Sequence, residues 1–408
     1  MQHRHRLVVV FAALALTRAA SAQCGYQNTS PQCFSFAPPA TEVGNLGEDL
    51  HLRSERLKIT GDLRVRTRVA HAPATAPYAT GDQITHRARV NMDYQLNENA
   101  NAFVQFNSSE TWAGGDGYSD AQPGETYNGI GQAYLLTRDV FGAGETMRVG
   151  RSTFTLASGL IYGSCDFLQY PAAGTGLWLS RAWGENALEL FTFDNDGTQT
   201  AQATGARFYG GTGRIDLHNQ FVRALEPYVM IGTDEGNVDN DDEWYGVTAG
   251  GSIGKSGEGA AFLNWSAEAA QREMGATDRS NNAYRVVLSK DFRSLTRNVL
   301  ESLSLTYTDA DGAMHVNPAD FNTAGLLHRF GGAWRSDLTT YQAGISLQPV
   351  EALDLELTYV NFDANGDHNN EVDLMAGTKL RNGVHGWVGY GRDEEDREVF
   401  YAQLTMFF

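Results

Sequence analysis

The sequence predicts an all-β protein, a single antiparallel transmembrane barrel, on three observations. No apolar run of 18 residues follows the N-terminal leader, so no helix is available to span a membrane. Apolar and polar residues instead alternate with a period of two in many short segments, and the last of these segments ends on the aromatic Phe408. The 44 glycines are scattered among these alternations and suit turns and strands better than helices. A mean hydropathy of −0.36 excludes a helical membrane protein but not a barrel, because half of each strand faces water in the lumen. With 11% aromatic and 20% charged residues, the 408-residue chain is also unlike a disordered one.

Residues 1–22 carry His3, Arg4, His5 and Arg6, an apolar run from Leu7 to Leu16, and Ala20-Ser21-Ala22 before Gln23. That is the layout of a bacterial secretory signal with an A-x-A cleavage site, and the run is too short for an anchor helix, which needs about 20 apolar residues. Gln23 stands where a lipidation signal ahead of Cys24 wants a small residue, so cleavage without lipidation is expected. Residues 23–55, with Pro31, Pro38 and Pro39, read as a periplasmic extension without periodicity. Export to an oxidising compartment is compatible with a Cys24–Cys33 bridge, which would leave Cys165 as a thiol. The net charge of −18 becomes more negative once Arg4, Arg6 and Arg18 leave with the signal, which argues against nucleic acid as a partner.

Residues 56–408 read as one barrel domain. In residues 63–69, Leu63, Val65, Thr67 and Val69 alternate with Arg64, Arg66 and Arg68. Residues 87–96 repeat the pattern, with Ala88, Val90, Met92, Tyr94 and Leu96 opposite Arg87, Arg89, Asn91, Asp93 and Gln95. Residues 339–348 and 353–359 alternate likewise. A soluble sandwich would alternate too; the last strand decides between them. It places Phe400, Ala402, Leu404, Met406 and Phe408 on one face and stops there. A terminal aromatic of this kind is what the outer-membrane assembly machinery reads, so the expected partners are that machinery through Phe408, the outer-membrane lipids and lipopolysaccharide. Connections alternate between short (96–101, 138–145, 183–186, 254–258, 348–352, 381–383) and longer (70–82, 113–128, 152–174, 194–204, 234–243, 273–281, 309–337, 363–371, 391–397), the pattern of periplasmic turns and outer loops. The count of strands between them is 18, with 16 left open because residues 205–233 are hard to divide.

A barrel of 16 to 18 strands has a lumen wide enough for an aqueous channel. Its predicted lining is Arg64, Arg66, Arg68, Arg87 and Arg89 from the first two strands, with Asp93 beside them, Arg148 and Arg285 elsewhere, and Asp354, Glu356, Asp373 and Lys379 from the last strands. A cationic wall facing an acidic wall would set a transverse field that favours polar or anionic solutes. The competing reading is that the arginines only satisfy Asp93 and neighbouring carboxylates, but five on adjacent strands exceed the acids there. Residues 153–174 hold Phe154, Leu156, Leu160, Ile161, Tyr162, Phe167 and Leu168 and are too apolar to stand in water. They are expected to fold back into the barrel, with Tyr162 and Asp166 near the constriction, rather than pack on the rim or on a neighbouring protomer.

Val149-Gly150-Arg151, then Phe154-Thr155-Leu156, Gly159-Leu160-Ile161-Tyr162-Gly163-Ser164, Asp166-Phe167-Leu168-Gln169 and Gly176-Leu177-Trp178-Leu179 follow one another in residues 145–195. This order resembles the alginate-export family of outer-membrane porins. The resemblance implies an 18-stranded barrel and the passage of an anionic polysaccharide. Three departures bear on the substrate. Ser152 stands where the family has Gln, Gly159-Leu160 lacks the arginine before Leu-Ile-Gly, and Tyr170-Pro171-Ala172-Ala173-Gly174 lacks the arginine before the next strand. Each loss of an arginine removes a cation that would grip a polyuronate, so the resemblance carries the fold further than the substrate.

Asp363, Asn365, Asp367 and Glu371 place oxygen ligands at alternate positions, as in part of a calcium loop, so Ca2+ in the outer loops is an expectation beside that of a solvated loop. No other cofactor is expected. His315 and His328 lack a Gly-x-Ser-x-Gly or His-x-Ser partner motif, and no Cys/His cluster has zinc spacing, so no enzymatic site is read. The sequence thus reads as a porin passing small hydrophilic solutes, sugars or anionic sugars, passively. The alternatives are an exporter of an anionic polysaccharide and a structural or adhesive barrel plugged by residues 153–174 and 309–337.

Overall fold

The computed structural model describes residues 52–53, 56–71, 81–114, 127–163, 173–195, 207–233, 241–255, 261–275, 279–292, 299–311, 314, 325–328, 337–350, 352–364, 367–380 and 384–408. The leader, Cys24, Cys33, Cys165, Asp166 and Asn365 lie outside the described residues, and so do the side chains of Asp367 and Lys379. Eighteen strands form the wall. The first six are β1 (Leu57–His71), β2 (Gly81–Asn97), β3 (Ala100–Gly114), β4 (Tyr127–Arg138), β5 (Glu145–Ser152) and β6 (Gly174–Trp183). The next six are β7 (Asn186–Asn195), β8 (Arg207–Asp216), β9 (Ala224–Thr233), β10 (Asp242–Lys255), β11 (Ala261–Met274) and β12 (Arg279–Asp291). The last six are β13 (Leu300–Ala310), β14 (Leu338–Val350), β15 (Leu353–Ala364), β16 (Asp367–Lys379), β17 (Val384–Asp393) and β18 (Glu398–Phe407).

Each strand pairs antiparallel with the next, and β18 closes the ring on β1 from Glu398 opposite His71 to Phe407 opposite Asp62. Closure leaves no edge in the hydrocarbon layer, where an unpaired amide or carbonyl costs several kcal/mol. Leu52 and Arg53 add a short bridge beside Ile59 and Lys58. At the seam Gly61 and Phe408 exchange backbone hydrogen bonds (2.7 and 3.0 Å). The Phe408 ring lies over Gly61, where a Cβ would come 2.5 Å from its Cζ. Only glycine fits under that ring.

The predicted alternation is the wall's radial order. On β18, Val399, Tyr401, Gln403, Thr405 and Phe407 are buried toward the lumen, and Phe400, Leu404 and Met406 are exposed toward lipid. Trp112, Tyr284, Tyr341, Tyr359 and Tyr390 lie outward near one rim, and Phe141, Trp183, Phe221 and Phe262 near the rim where the chain ends. Two such aromatic girdles bound the lipid belt of an outer-membrane barrel.

The undivided stretch 205–233 resolves into β8 and β9 joined by residues 217–223, which settles the count at 18. Three connections expected to be long are short, the one between β17 and β18 being only residues 394–397. β11 runs to Met274 and resumes as β12 at Arg279, and β15 and β16 are separated by residues 365–366. Their polar residues continue the backbone ladder at the rim, as in Met274 opposite Arg279 and Ala364 opposite Asp367. Polarity there marks strand beyond the apolar belt rather than loop.

Candidate functional site

The inward faces of β1 and β2 carry Arg64, Arg66, Arg68, Arg87 and Arg89, all between 1% and 8% exposed. Period two places them there: each is flanked by the lipid-facing residues of the same strand. Asp62 on β1 divides its carboxylate between two of them, with Arg87 Nη2 at 3.1 Å from Oδ1 and Arg89 Nε at 2.5 Å from Oδ2. Arg66 Nε donates to Gln403 Oε1 at 2.8 Å across the seam. Asp93, which the competing reading made their counter-acid, accepts from Asn101 Nδ2 at 2.9 Å. Asp62 was missed because its partners are set by register, with Asp62 opposite Arg89, and register is not written in either strand alone. Among the described residues of β1 and β2, five guanidinium groups share the inward face with the carboxylates of Asp62 and Asp93.

Acidic strands lie beside this sector rather than across from it. Glu356 on β15, Glu371 and Asp373 on β16 and Asp393 on β17 are buried and inward, and the ring order brings β17 to β1 with only β18 between. The expectation of facing walls is corrected by closure, which joins the two chain ends. Asp354 accepts from Gln348 Nε2 at 2.8 Å. A helical turn, Gly325–His328, reaches this sector from the long connection after β13: Leu326 is buried, and its N–H donates to Asp373 Oδ2 at 3.1 Å. Gly391 makes the room, since a Cβ on it would lie 2.6 Å from Asp373 Oδ1 and 3.1 Å from Leu326 Cβ. Earlier in the same connection Met314 is buried on the other side, where its carbonyl accepts from Trp244 Nε1 at 3.1 Å.

Of the loop 153–174 expected to fold inward, the described residues 153–163 lie against the inner wall. Phe154, Leu156, Leu160, Ile161 and Tyr162 pack on inward-facing Trp178, Phe191, Phe193, Phe208, Tyr228, Met230 and Trp244 of β6 to β10. Ring centroids stand 4.7 Å apart for Phe154 and Phe191 and 5.1 Å for Tyr162 and Phe193. Burying each such side chain is worth roughly 1.5–3 kcal/mol. Tyr162 is therefore corrected: it is 0% exposed on the anchoring face of the loop, not at a solute-facing edge. The missed signal was in β7, where Leu188 and Leu190 alternate with Phe191 and Phe193, so that both faces are apolar. A strand apolar on both faces is covered on both.

Arg148 points inward between rings, 4.7 Å from the Trp178 centroid and 5.8 Å from that of Tyr134, with Glu189 at 4.0 Å. Arg285 is buried opposite Glu268 across the β11–β12 ladder. Of the residues expected to hold calcium, Asp363 lies on the outward face beside His368 (3.2 Å) and Glu371 is inward and buried, while Asn365 and the Asp367 side chain lie outside the described residues. Asp363 and Glu371 thus leave the hairpin on opposite faces.

A closed barrel of 18 antiparallel strands with an apolar belt, aromatic girdles and a charged lumen is the architecture of the bacterial outer-membrane porins. The sequence matches no protein-family model and no curated protein. Among solved structures the chain is similar to OprD of Pseudomonas aeruginosa (TM-score 0.58, 14% identity, 86% of this chain and 93% of that one). It is also similar to OccAB1 of Acinetobacter baumannii (0.59, 11%, 88% and 99%) and to OccK2 (OpdF) of Pseudomonas aeruginosa, solved in complex with glucuronate (0.60, 11%, 86% and 98%). These likenesses show the fold. They correct the resemblance to the alginate-export family, because the neighbours are OprD and Occ porins. Local constraints account for the short motifs that carried it. Gly150 has φ +130 and no space for a Cβ, 2.3 Å from Ala133 O, and Gly159-Leu160-Ile161 turns and anchors the loop. The polysaccharide-export reading rested on that resemblance and is not retained.

Proposed function

We propose that the protein is an outer-membrane porin that lets small hydrophilic solutes diffuse down their gradients, with anionic ones, including sugar acids, favoured. The observation that carries this reading is the inward row of five arginines on β1 and β2, Arg64, Arg66, Arg68, Arg87 and Arg89. A carboxylated solute entering this sector exchanges hydration for guanidinium contacts without chemical change. The glucuronate bound by the OccK2 structure fits the same class of solute. In this reading the barrel sits among outer-membrane lipids and lipopolysaccharide, and Phe408 is its address for the assembly machinery.

Planar-bilayer recording tests the proposal. Wild-type protein is expected to give ohmic, anion-selective current that glucuronate reduces, and replacing Arg64, Arg66, Arg87 and Arg89 by glutamine is expected to move the reversal potential toward cations. An unchanged reversal potential would refute the role of the arginines. A second reading, a barrel shut by its own loops, is favoured by Met314 and Leu326 lying inside the wall on two sides. Folded wild-type barrel that passes no current would decide for it.

A further inference from the structure

Residues 156–159 form a tight reversal in the described part of the loop that follows β5. Leu156 N–H donates to Tyr162 O at 2.9 Å and Gly159 N–H to Leu156 O at 2.8 Å. The reversal holds Ala157 at φ +48, a conformation that an alanine rarely takes, and Gly159 at φ +84. Its outcome is the position of Ser158, whose hydroxyl donates to Glu268 Oε2 from 110 residues away in sequence.

Glu268 accepts from two sides. Tyr228 of β9 donates its hydroxyl to Oε1 at 2.7 Å, so both carboxylate oxygens are engaged, and the residue is 4% exposed. Across the ladders it faces Arg285 of β12 and Thr248 of β10. Glu226 of β9, in line with it beyond Thr248, is held by Arg214 at 2.9 Å. A carboxylate so placed costs free energy unless its hydrogen bonds are made, and one of them is made by the loop. The aromatic contacts of Phe154 and Tyr162 fasten the loop to the wall, but apolar contact is non-directional and tolerates sliding. The hydrogen bond to a fixed strand residue is directional and sets where this reversal stops.

We propose that Glu268, oriented by Tyr228, is the latch that positions the inward loop through Ser158 and thereby sets the width and steadiness of the pore. The proposal rests on the channel reading for its functional consequence. Glu268 acts through the loop, as a positioning residue, and need not touch solute.

Two measurements test it. The first reads the loop without current. In a variant whose Cys24, Cys33 and Cys165 are replaced by serine, Ala157→Cys is reacted with a water-soluble maleimide. Labelling is expected to be slow, and many-fold faster when Glu268→Ala is added. Equal rates in the two backgrounds, both folded by heat-modifiable gel mobility, would overturn the latch whether or not the barrel conducts. The second is single-channel recording of Ser158→Ala and Ser158→Thr. Losing the hydroxyl is expected to raise conductance roughly twofold, since current follows the narrowest section, with added open-channel noise, and threonine to restore the wild-type trace. Identical traces for alanine, threonine and wild type would also overturn it. A silent wild type with latch-dependent labelling would sink the channel reading alone.

Discussion

Asp62 shows how one residue sets the charge of a lumen. It divides one negative charge between two buried guanidinium groups, Arg87 and Arg89. Removing one partner of a buried ion pair costs about 3–5 kcal/mol, because the other charge is left uncompensated. Asp62→Asn is therefore expected to lower the unfolding temperature of the barrel in detergent. Its pore should also be more anion-selective than wild type, read as a larger reversal potential in a salt gradient. A variant as stable and as selective as wild type would show that the other contacts of Arg87 and Arg89 suffice. Gly61 acts instead on closure of the seam. A valine there would meet the backbone oxygen of Arg89 at 2.3 Å as well as the Phe408 ring, so Gly61→Val is expected to slow closure, seen as accumulation of the heat-unmodified form during refolding.

At the scale of elements, the two inward segments divide the wall between them. Residues 153–163 cover β6 to β10 through apolar contact, and the turn Gly325–His328 covers β16 and β17 through Leu326 and Asp373. The strands beneath have adapted in opposite ways. The first group turns large aromatics inward, and β17 presents Gly389 and Gly391. A Gly391→Val substitution would fill the space that Leu326 uses. It should leave the barrel folded but release the connection between β13 and β14, which limited proteolysis would detect as faster cleavage within residues 311–337. Unchanged cleavage would mean that the turn is held by other contacts.

For the whole molecule, ring closure decides the electrostatics. The acidic inward residues of β15 to β17 and the arginines of β1 and β2 come from opposite ends of the chain but are neighbours on the wall. The field between them is short-ranged and is screened by salt that enters the lumen. The Debye length falls from about 10 Å at 0.1 M to about 3 Å at 1 M. The ratio of anion to cation permeability is therefore expected to fall toward unity over that range in potassium chloride. A ratio independent of salt would place selectivity in direct contacts inside the narrowest section instead.

The period-two alternation and the spacing of turns determined by themselves that this chain is built as a barrel, that Arg64, Arg66, Arg68, Arg87 and Arg89 share its inward face and that the loop after β5 is apolar enough to turn inward. Those features are local, and a strand's side-chain parity follows from its own residues. Tertiary structure alone decided who partners whom: Asp62 rather than Asp93 with the arginines, Tyr162 in the anchoring cluster, Ser158 on Glu268, Asp363 turned away from Glu371. Each depends on the register between strands or on the meeting of residues many positions apart. A shift of one residue in register reverses every inward and outward side chain, so such pairings exist only once the ring has closed.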